Sequence, residues 1–277
     1  MDPRLQLRVQ RYGWDSAVDY YNDGWSTQLR PAHDQFLAMA YLKPGQNVIE
    51  IASGTGLVTL RAAQVLGPTG AILATDLSQK MVDDLIQRAA EAGISTITAQ
   101  RIGAEDLGQA DNTFDAALCA LGLMYVPDPG KAVREMARVI KPGGTVTATV
   151  WGQRKNCGWA DVFPIIDARV DSEVCPMFFG TGAKGALVMD FKAASLSDIA
   201  EHRQSEILNF ANAEQVITSV LLGGPVAMAA KRFSDDVWQD VKAEFLLSVA
   251  AFEQPDGCYR IPCEFVTVRG TKPLAYR

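Results

Sequence analysis

The stretch VIEIASGTG, residues 48–56, runs an apolar strand with one acid in it straight into a glycine-rich turn. Such a turn lets backbone approach a nucleotide-like ligand closely, because glycine has no Cβ to hold it off. From residue 46 to 151 the chain goes on alternating short apolar runs, at 47–51, 71–75, 96–102, 114–120 and 145–151, with helical patterns. That alternation predicts a parallel sheet covered by helices on both faces. In the clearest helix, 79–92, Met81, Val82, Leu85, Ile86 and Ala89 fall on one face. Ser78 is placed to cap its start and Gly93 to end it. A second helix over 131–140 stops at the KPGG of 141–144, before the fifth strand.

The flanks read differently. Residues 1–45 are rich in aromatics (Tyr12, Trp14, Tyr20, Tyr21, Trp25, Phe36 and Tyr41) and predict short helices ahead of the first strand. Residues 152–190 show no further strand–helix unit and read as an insertion over a pocket. Beyond them come a strand near 205–210, helices near 213–222 and 235–252, and a last strand near 261–269. That last strand is expected to add antiparallel at one edge of the sheet.

Bulk composition narrows the function. The 277 residues are 48% apolar and 21% charged, ordinary values for a globular enzyme. A net charge of −6 with only short basic stretches, at 4–11 and at Arg154-Lys155, argues against nucleic-acid binding. The N-terminus has no apolar export segment, and the most apolar stretch, 216–230, is interrupted by Gly223-Gly224-Pro225. No membrane span and a cytoplasmic location are therefore expected. The five cysteines, Cys119, Cys157, Cys175, Cys258 and Cys263, are odd in number and form no CxxC pair, so neither disulfides nor a metal site is expected.

The turn itself discriminates between ligands. A dinucleotide fold asks for a third glycine, and Thr59 stands there instead; a phosphate-binding P-loop would need Gly-Lys-Ser/Thr, which is missing. Glu50, four residues before Gly54, would repel a pyrophosphate and attract an ammonium group. Asp76, twenty residues beyond Gly56, ends the second strand where a carboxylate can accept from both hydroxyls of a ribose. The ligand these residues ask for has an adenosine-like ribose, no phosphate near the turn and a cation near Glu50. S-adenosylmethionine has all three; a nicotinamide cofactor fits less well.

Through VIEIASGTG, ATDLSQKMV, RIGAEDL, NTFDAALCALGLMYVPDP and EMARVIKPGGTVTATVW, residues 47–151 resemble the class I S-adenosylmethionine-dependent methyltransferases. Within that class the likeness is to the ubiquinone/menaquinone-biosynthesis C-methyltransferase-like group. The resemblance implies an α/β, Rossmann-like, doubly wound and mostly parallel seven-stranded sheet, with an antiparallel edge strand and a helical lobe covering the substrate. It divides the chain into an N-terminal helical cap (1–45), an S-adenosylmethionine-binding core (46–151), an insertion over the pocket (152–190) and a C-terminal part of the sheet with helices (191–277).

Carried over by position, Ala52, Ser53, Gly54 and Gly56 would pass under the methionine part of the cofactor, with Glu50 at the ammonium and Asp76 at the ribose. Leu77 and Met81 would lie against the adenine, and Gly103, Ala104 and Glu105 at its edge, although Gly103 stands where the family usually has an acid. Cys119 and Ala120 would face the methionine portion. S-adenosylhomocysteine would be the product.

No catalytic residue stands out. His33 is a candidate base at the pocket mouth, His202 lies in a charged stretch that reads as surface, and Tyr21 and Tyr125 are candidate positioners. Tyr21 and Trp25 are four apart and are able to share one helix face as a lid, or simply to pack. Met124 reads as packing at least as readily as chemistry. The expected reaction is methyl transfer to O, N, S or activated C of a small organic acceptor by in-line displacement. Two alternatives stay open: an S-adenosylmethionine-binding protein with other chemistry or a partner-subunit role, and, more remotely, an NAD(P)-dependent oxidoreductase. A small-molecule substrate is the expected partner, and a homodimer is one open arrangement.

Overall fold

The computed structural model describes residues 2–170 and 178–274. Two helices, α1 (Pro3–Trp25) and α2 (Arg30–Ala40), precede the sheet. The alternating core follows as β1 (Asn47–Ile51), α3 (Thr59–Leu66), β2 (Ala71–Asp76), α4 (Gln79–Glu91), β3 (Ile97–Arg101), β4 (Phe114–Ala120), α5 (Pro129–Val139) and β5 (Ile140–Trp151). The remainder supplies α6 (Val162–Asp167), α7 (Ala186–Ala193), β6 (Ser197–Phe210), α8 (Ala213–Ile217), α9 (Ala227–Ala230), α10 (Asp235–Val249) and β7 (Tyr259–Thr271).

The seven strands form one sheet in the order β3-β2-β1-β4-β5-β7-β6. β1 to β5 are parallel, and β7 runs antiparallel to both of its neighbours. The last strand is therefore antiparallel as expected, one place in from the edge, with β6 outside it. β1 lies in the middle of the five parallel strands and is buried from Val48 onward, which is why it reads as an apolar run. Glu50 is in register with Ala74 of β2 and Leu118 of β4, so the turns after these three strands gather at one end of the sheet. Strand order reverses between β1 and β4, the place where open α/β sheets bind ligands.

The local signals hold where they were strongest. Ser78 Oγ accepts from the Met81 N–H at 3.1 Å, and Gly93 takes a left-handed φ of +67° after α4. Asp128 caps α5 on the Lys131 N–H at 2.8 Å. Other boundaries move. The N-terminal region is one 23-residue helix followed by an 11-residue one, not a set of short helices. β5 starts at Ile140 rather than 145: Ile140 pairs with Phe114, a register shift follows, and Gly143 donates to the Lys272 carbonyl at 2.8 Å. KPGG ends the helix as expected but then belongs to the sheet. β6 likewise begins at Ser197, so the charged stretch around His202 is an exposed outer strand. The predicted helix over 213–222 becomes α8 and a π turn, Thr218–Leu222.

Helices α6 to α10 lie outside the alternating core. Trp151, Trp159, Phe163, Phe178 and Phe179 form a ring cluster with centroid separations of 4.7–6.0 Å. Edge and tilted arrangements of this kind add to what area burial alone contributes.

Candidate active site

A cleft of about 690 Å³, its open mouth included, lies over the carboxyl ends of β1, β2, β3 and β4. Its floor is made by Ala52 and Gly54 after β1, Asp76 at the end of β2 with Leu77 beyond it, and Ile102, Gly103 and Ala104 after β3. Ala120 at the end of β4, with Leu121 and Gly122 after it, closes one side, Tyr125 and Val126 lie beyond them, and Met81 enters from α4. Leu7, Gln10, Trp14 and Tyr21 of α1 form the roof.

The backbone is shaped for close approach. Ala52 and Leu121, both non-glycine, have φ of +52° and +58°, an uncommon left-handed conformation that concentrates at functional sites. Gly122 packs where a Cβ would run into Ala52 and come within 2.9 Å of Cys119 Sγ. The turn after β1 and the turn after β4 thus touch through a missing side chain.

Two buried acids define the electrostatics. Glu50 is 1% exposed, and its Oε2 has no hydrogen-bond partner. Burial pushes its carboxyl up to about 8; the Thr59 hydroxyl opposes this, and the nearby Asp76 charge adds to it. Asp76 Oδ2 accepts from the Gly54 N–H at 2.9 Å and Oδ1 from the Ser78 N–H at 2.8 Å. Burial raises Asp76 to about 6 despite those two N–H groups. None of the described residues lining the cleft is Lys, Arg or His, so nothing cationic faces these acids.

α1 is latched over them. The Thr55 hydroxyl donates to Asn22 Oδ1 at 2.6 Å, and the Ser78 hydroxyl donates to Asp15 Oδ1 at 2.6 Å. Tyr21 lies over the turn, its Cε1 3.8 Å from where a Gly54 Cβ would stand. Burial, then the charges of Asp76 and Glu50, hold the Tyr21 phenol protonated well above its ordinary range.

A second cavity of about 330 Å³ adjoins the cleft and shares Trp14, Tyr21, Leu121 and Tyr125 with it. Its other walls are Trp25, Leu29, Trp151, Trp159, Gly224 and Pro225. No acid, Lys, Arg, His or Cys is among the described residues lining it. Trp25 Nε1 is taken up by the carbonyls of Ser219 and Gly223, both at 3.0 Å, whereas the buried Trp159 Nε1 has no partner.

Of the residues singled out from sequence, Ala52, Gly54, Asp76, Leu77, Met81, Gly103, Ala104, Tyr21 and Tyr125 line the cleft together. Glu50, Ser53, Gly56 and Cys119 are in the layer behind the lining, all buried. Glu105 is turned to the loop after β4, accepting from the Asp128 N–H at 3.0 Å. His33 does not reach the pocket mouth: it is buried in α2, lines neither cavity, and burial beside Arg61 lowers its pKa to about 3. Met124 is buried packing. Cys175 falls outside the described residues. Sequence reasoning missed Leu7, Gln10 and Trp14 as roof residues and Trp151 and Trp159 as chamber walls. The spacing Leu7, Gln10, Trp14, Tyr21 was a usable signal, three, four and seven apart on one helix face.

The sequence profile of the ubiE/COQ5 methyltransferase family matches residues 16–164. A ubiquinone/menaquinone biosynthesis C-methyltransferase of Burkholderia mallei is 38% identical over 132 residues, 47% of this chain and 54% of that protein. An uncharacterised protein of Mycobacterium tuberculosis is 36% identical over 124 residues, 44% of this chain and 43% of its own length. The chain thus spans about half the length of the curated relatives it matches. In fold it is similar to the [4+2]-cyclase SpnF (TM-score 0.64, 19% identity, 98% of this chain and 97% of that one). It is also similar to phosphoethanolamine N-methyltransferase 2 of Haemonchus contortus, solved with S-adenosyl-L-methionine (TM-score 0.61, 16% identity, 94% of this chain and 57% of that one). With the match running over more than half its length and through both acids of the cleft, the chain belongs to the ubiE/COQ5 methyltransferase family.

Proposed function

We propose that this protein is an S-adenosylmethionine-dependent methyltransferase acting on a small organic acceptor with an apolar, planar body. The observation that carries the reading is a pair of buried acids, Asp76 lining the cleft and Glu50 with an unpartnered oxygen just behind it, in a cleft that shares a wall with an aromatic chamber. The residues fit the cofactor's chemistry. Glu50 would neutralise its ammonium, Asp76 would accept from its ribose hydroxyls, and Leu77, Met81 and Ile102 would flank its base. When bound, the cofactor supplies an electrophilic methyl group on sulfur, and S-adenosylhomocysteine is left.

The chain's own part is then alignment and exclusion of water. Trp25, Trp151 and Trp159 give the acceptor flat apolar walls, and holding two reactants in line supplies much of the acceleration such a transfer needs. Tyr21, kept protonated by burial and by the two acids, donates a hydrogen bond rather than taking a proton. With tyrosine the one titratable group among the described residues lining the chamber, the acceptor is expected to arrive with its nucleophilic atom already competent. That same scarcity of bases favours one second reading, a cofactor-binding protein whose chamber promotes chemistry other than methyl transfer. A nicotinamide cofactor is disfavoured, because Glu50 buried under the turn would oppose a pyrophosphate and Thr59 stands at the third-glycine position.

Calorimetric titration with S-adenosylmethionine and S-adenosylhomocysteine, with NAD⁺ and NADH as controls, tests the reading. Binding of both sulfur ligands in the micromolar range is expected, weakened about tenfold or more in Asp76→Asn. Folded protein that binds neither would sink it. Binding without labelled methyl transfer to any of a panel of phenols, quinols, amines and thiols would move the assignment to the second reading.

A further inference from the structure

The end of the cleft away from Tyr21 holds a polar group with no assigned role. α1 lies over the carboxyl ends of the strands and is tied to them at three places. Asn22 meets Thr55 after β1, Asp15 meets Ser78 after β2, and Gln6 Nε2 reaches the Tyr125 carbonyl at 3.5 Å. The loop holding Val126 is tied to the loop after β3, since the Asp128 N–H donates to Glu105 at 3.0 Å. The N-terminal third of α1 therefore faces the end of the cleft built by residues 102–104 and Val126. Gln10 is there, eleven residues before Tyr21, about 16 Å away along a helix rising ~1.5 Å per residue.

The surroundings make this side chain informative. Leu7, Leu77, Met81, Ile102 and Ala104 give that end apolar walls, and Gly103 contributes no side chain. Gln10 is 4% exposed and is the one side-chain amide among the described residues lining the cleft. An amide buried among apolar groups needs hydrogen bonds to offset its lost hydration. It has two donor and two acceptor positions, so a partner within the protein leaves capacity for a ligand. Its parallel N–H and C=O match a flat ring bearing an amino group next to a ring nitrogen, the pairing by which glutamine reads adenine elsewhere.

We propose that Gln10 reads the amino edge of the cofactor's adenine. Its carbonyl oxygen accepts from the 6-amino group, and its amide N–H donates to the adjacent ring nitrogen. Gly103 on the facing loop leaves room for that pairing. This inference rests on the cofactor reading above and goes beyond it by naming the group that distinguishes adenine from other flat bases.

The test compares S-adenosylhomocysteine with its purine analogue lacking the 6-amino group, titrated into the full chain as wild type and as Gln10→Leu. Wild type is expected to bind the adenine ligand about tenfold or more tighter than the purine one. In Gln10→Leu that preference should collapse towards unity, through weaker binding of the adenine ligand with the purine analogue little changed. Gln10→Met, a flexible apolar replacement, carries the same comparison should the leucine variant melt early. A variant that keeps the wild-type preference overturns the role of Gln10 and leaves the cofactor reading intact. Wild type that binds neither ligand overturns both.

Discussion

Glu50 is a buried acid whose missing partner reports on both ligand and stability. In the folded chain it holds its proton up to about pH 8, against about 4.5 for an ordinary glutamate. The folded state therefore binds more protons than the unfolded state across that window. Its stability is full below about pH 4.5 and declines as pH rises through 8. Glu50→Gln removes that decline. The ligand-free variant is expected to melt several degrees above wild type at pH 8 and to match it near pH 5, while binding S-adenosylmethionine about tenfold or more weakly. Equal melting differences at both pH values would mean that Glu50 is already ionised and compensated. Glu50 and Asp76 were legible from sequence because an acid inside an apolar strand, or at its end beside a glycine turn, is a local conflict that a ligand resolves. His33 was not, because a lone histidine gives no sign of which way its helix will face.

At the scale of elements, α1 is the decisive piece and the one least visible beforehand. Its buried face mixes Gln6 and Gln10 with Ala17, Val18 and Trp25, so the apolar period is broken where the helix roofs a polar cleft. Gly13 lies in its middle, and the helix runs through it. By contrast α4, β1, β2 and β4, packed apolar face to apolar face, were readable within a residue or two. The C-terminal end of α1 is fixed by contact: a Cβ on Gly24 would meet Ser219 Oγ at 2.8 Å and Ser219 Cα at 2.9 Å. Gly24→Ala is expected to cost about 1–3 kcal/mol by overpacking and to lower the melting temperature by roughly 2–10 °C. An unchanged melting temperature would show that this junction gives way freely and does not hold the roof in place.

Across the whole molecule, the segment between β5 and β6 is stitched to the sheet by one carboxylate. Glu264 of β7 accepts from the Gln153 N–H at 2.8 Å and Asn156 Nδ2 at 3.0 Å, and pairs with Arg203 of β6 at 3.4 Å. Arg203 in turn donates to the carbonyls of Gly182 and Ala183, both at 3.1 Å. Glu264→Ala is expected to destabilise the fold by roughly 1–3 kcal/mol and to speed hydrogen exchange over residues 178–185. Cofactor affinity should stay within about twofold of wild type, since none of these residues lines the cleft. Exchange unchanged in that segment would show that the ring cluster, not the carboxylate, holds it down. None of this network was readable in advance, because it joins positions 20 to 111 residues apart, partly through backbone groups that carry no residue identity.

The party wall of Trp14, Tyr21, Leu121 and Tyr125 also sets how such a protein can diversify. A change on that wall alters both compartments at once, so it cannot retune one ligand while sparing the other. On the proposed assignment, freedom to accept a new substrate lies on the far side, at Trp25, Trp151, Trp159, Gly224 and Pro225. Under that assignment, a lineage built on this plan would keep its donor by leaving one wall alone and explore new chemistry by redecorating the opposite one.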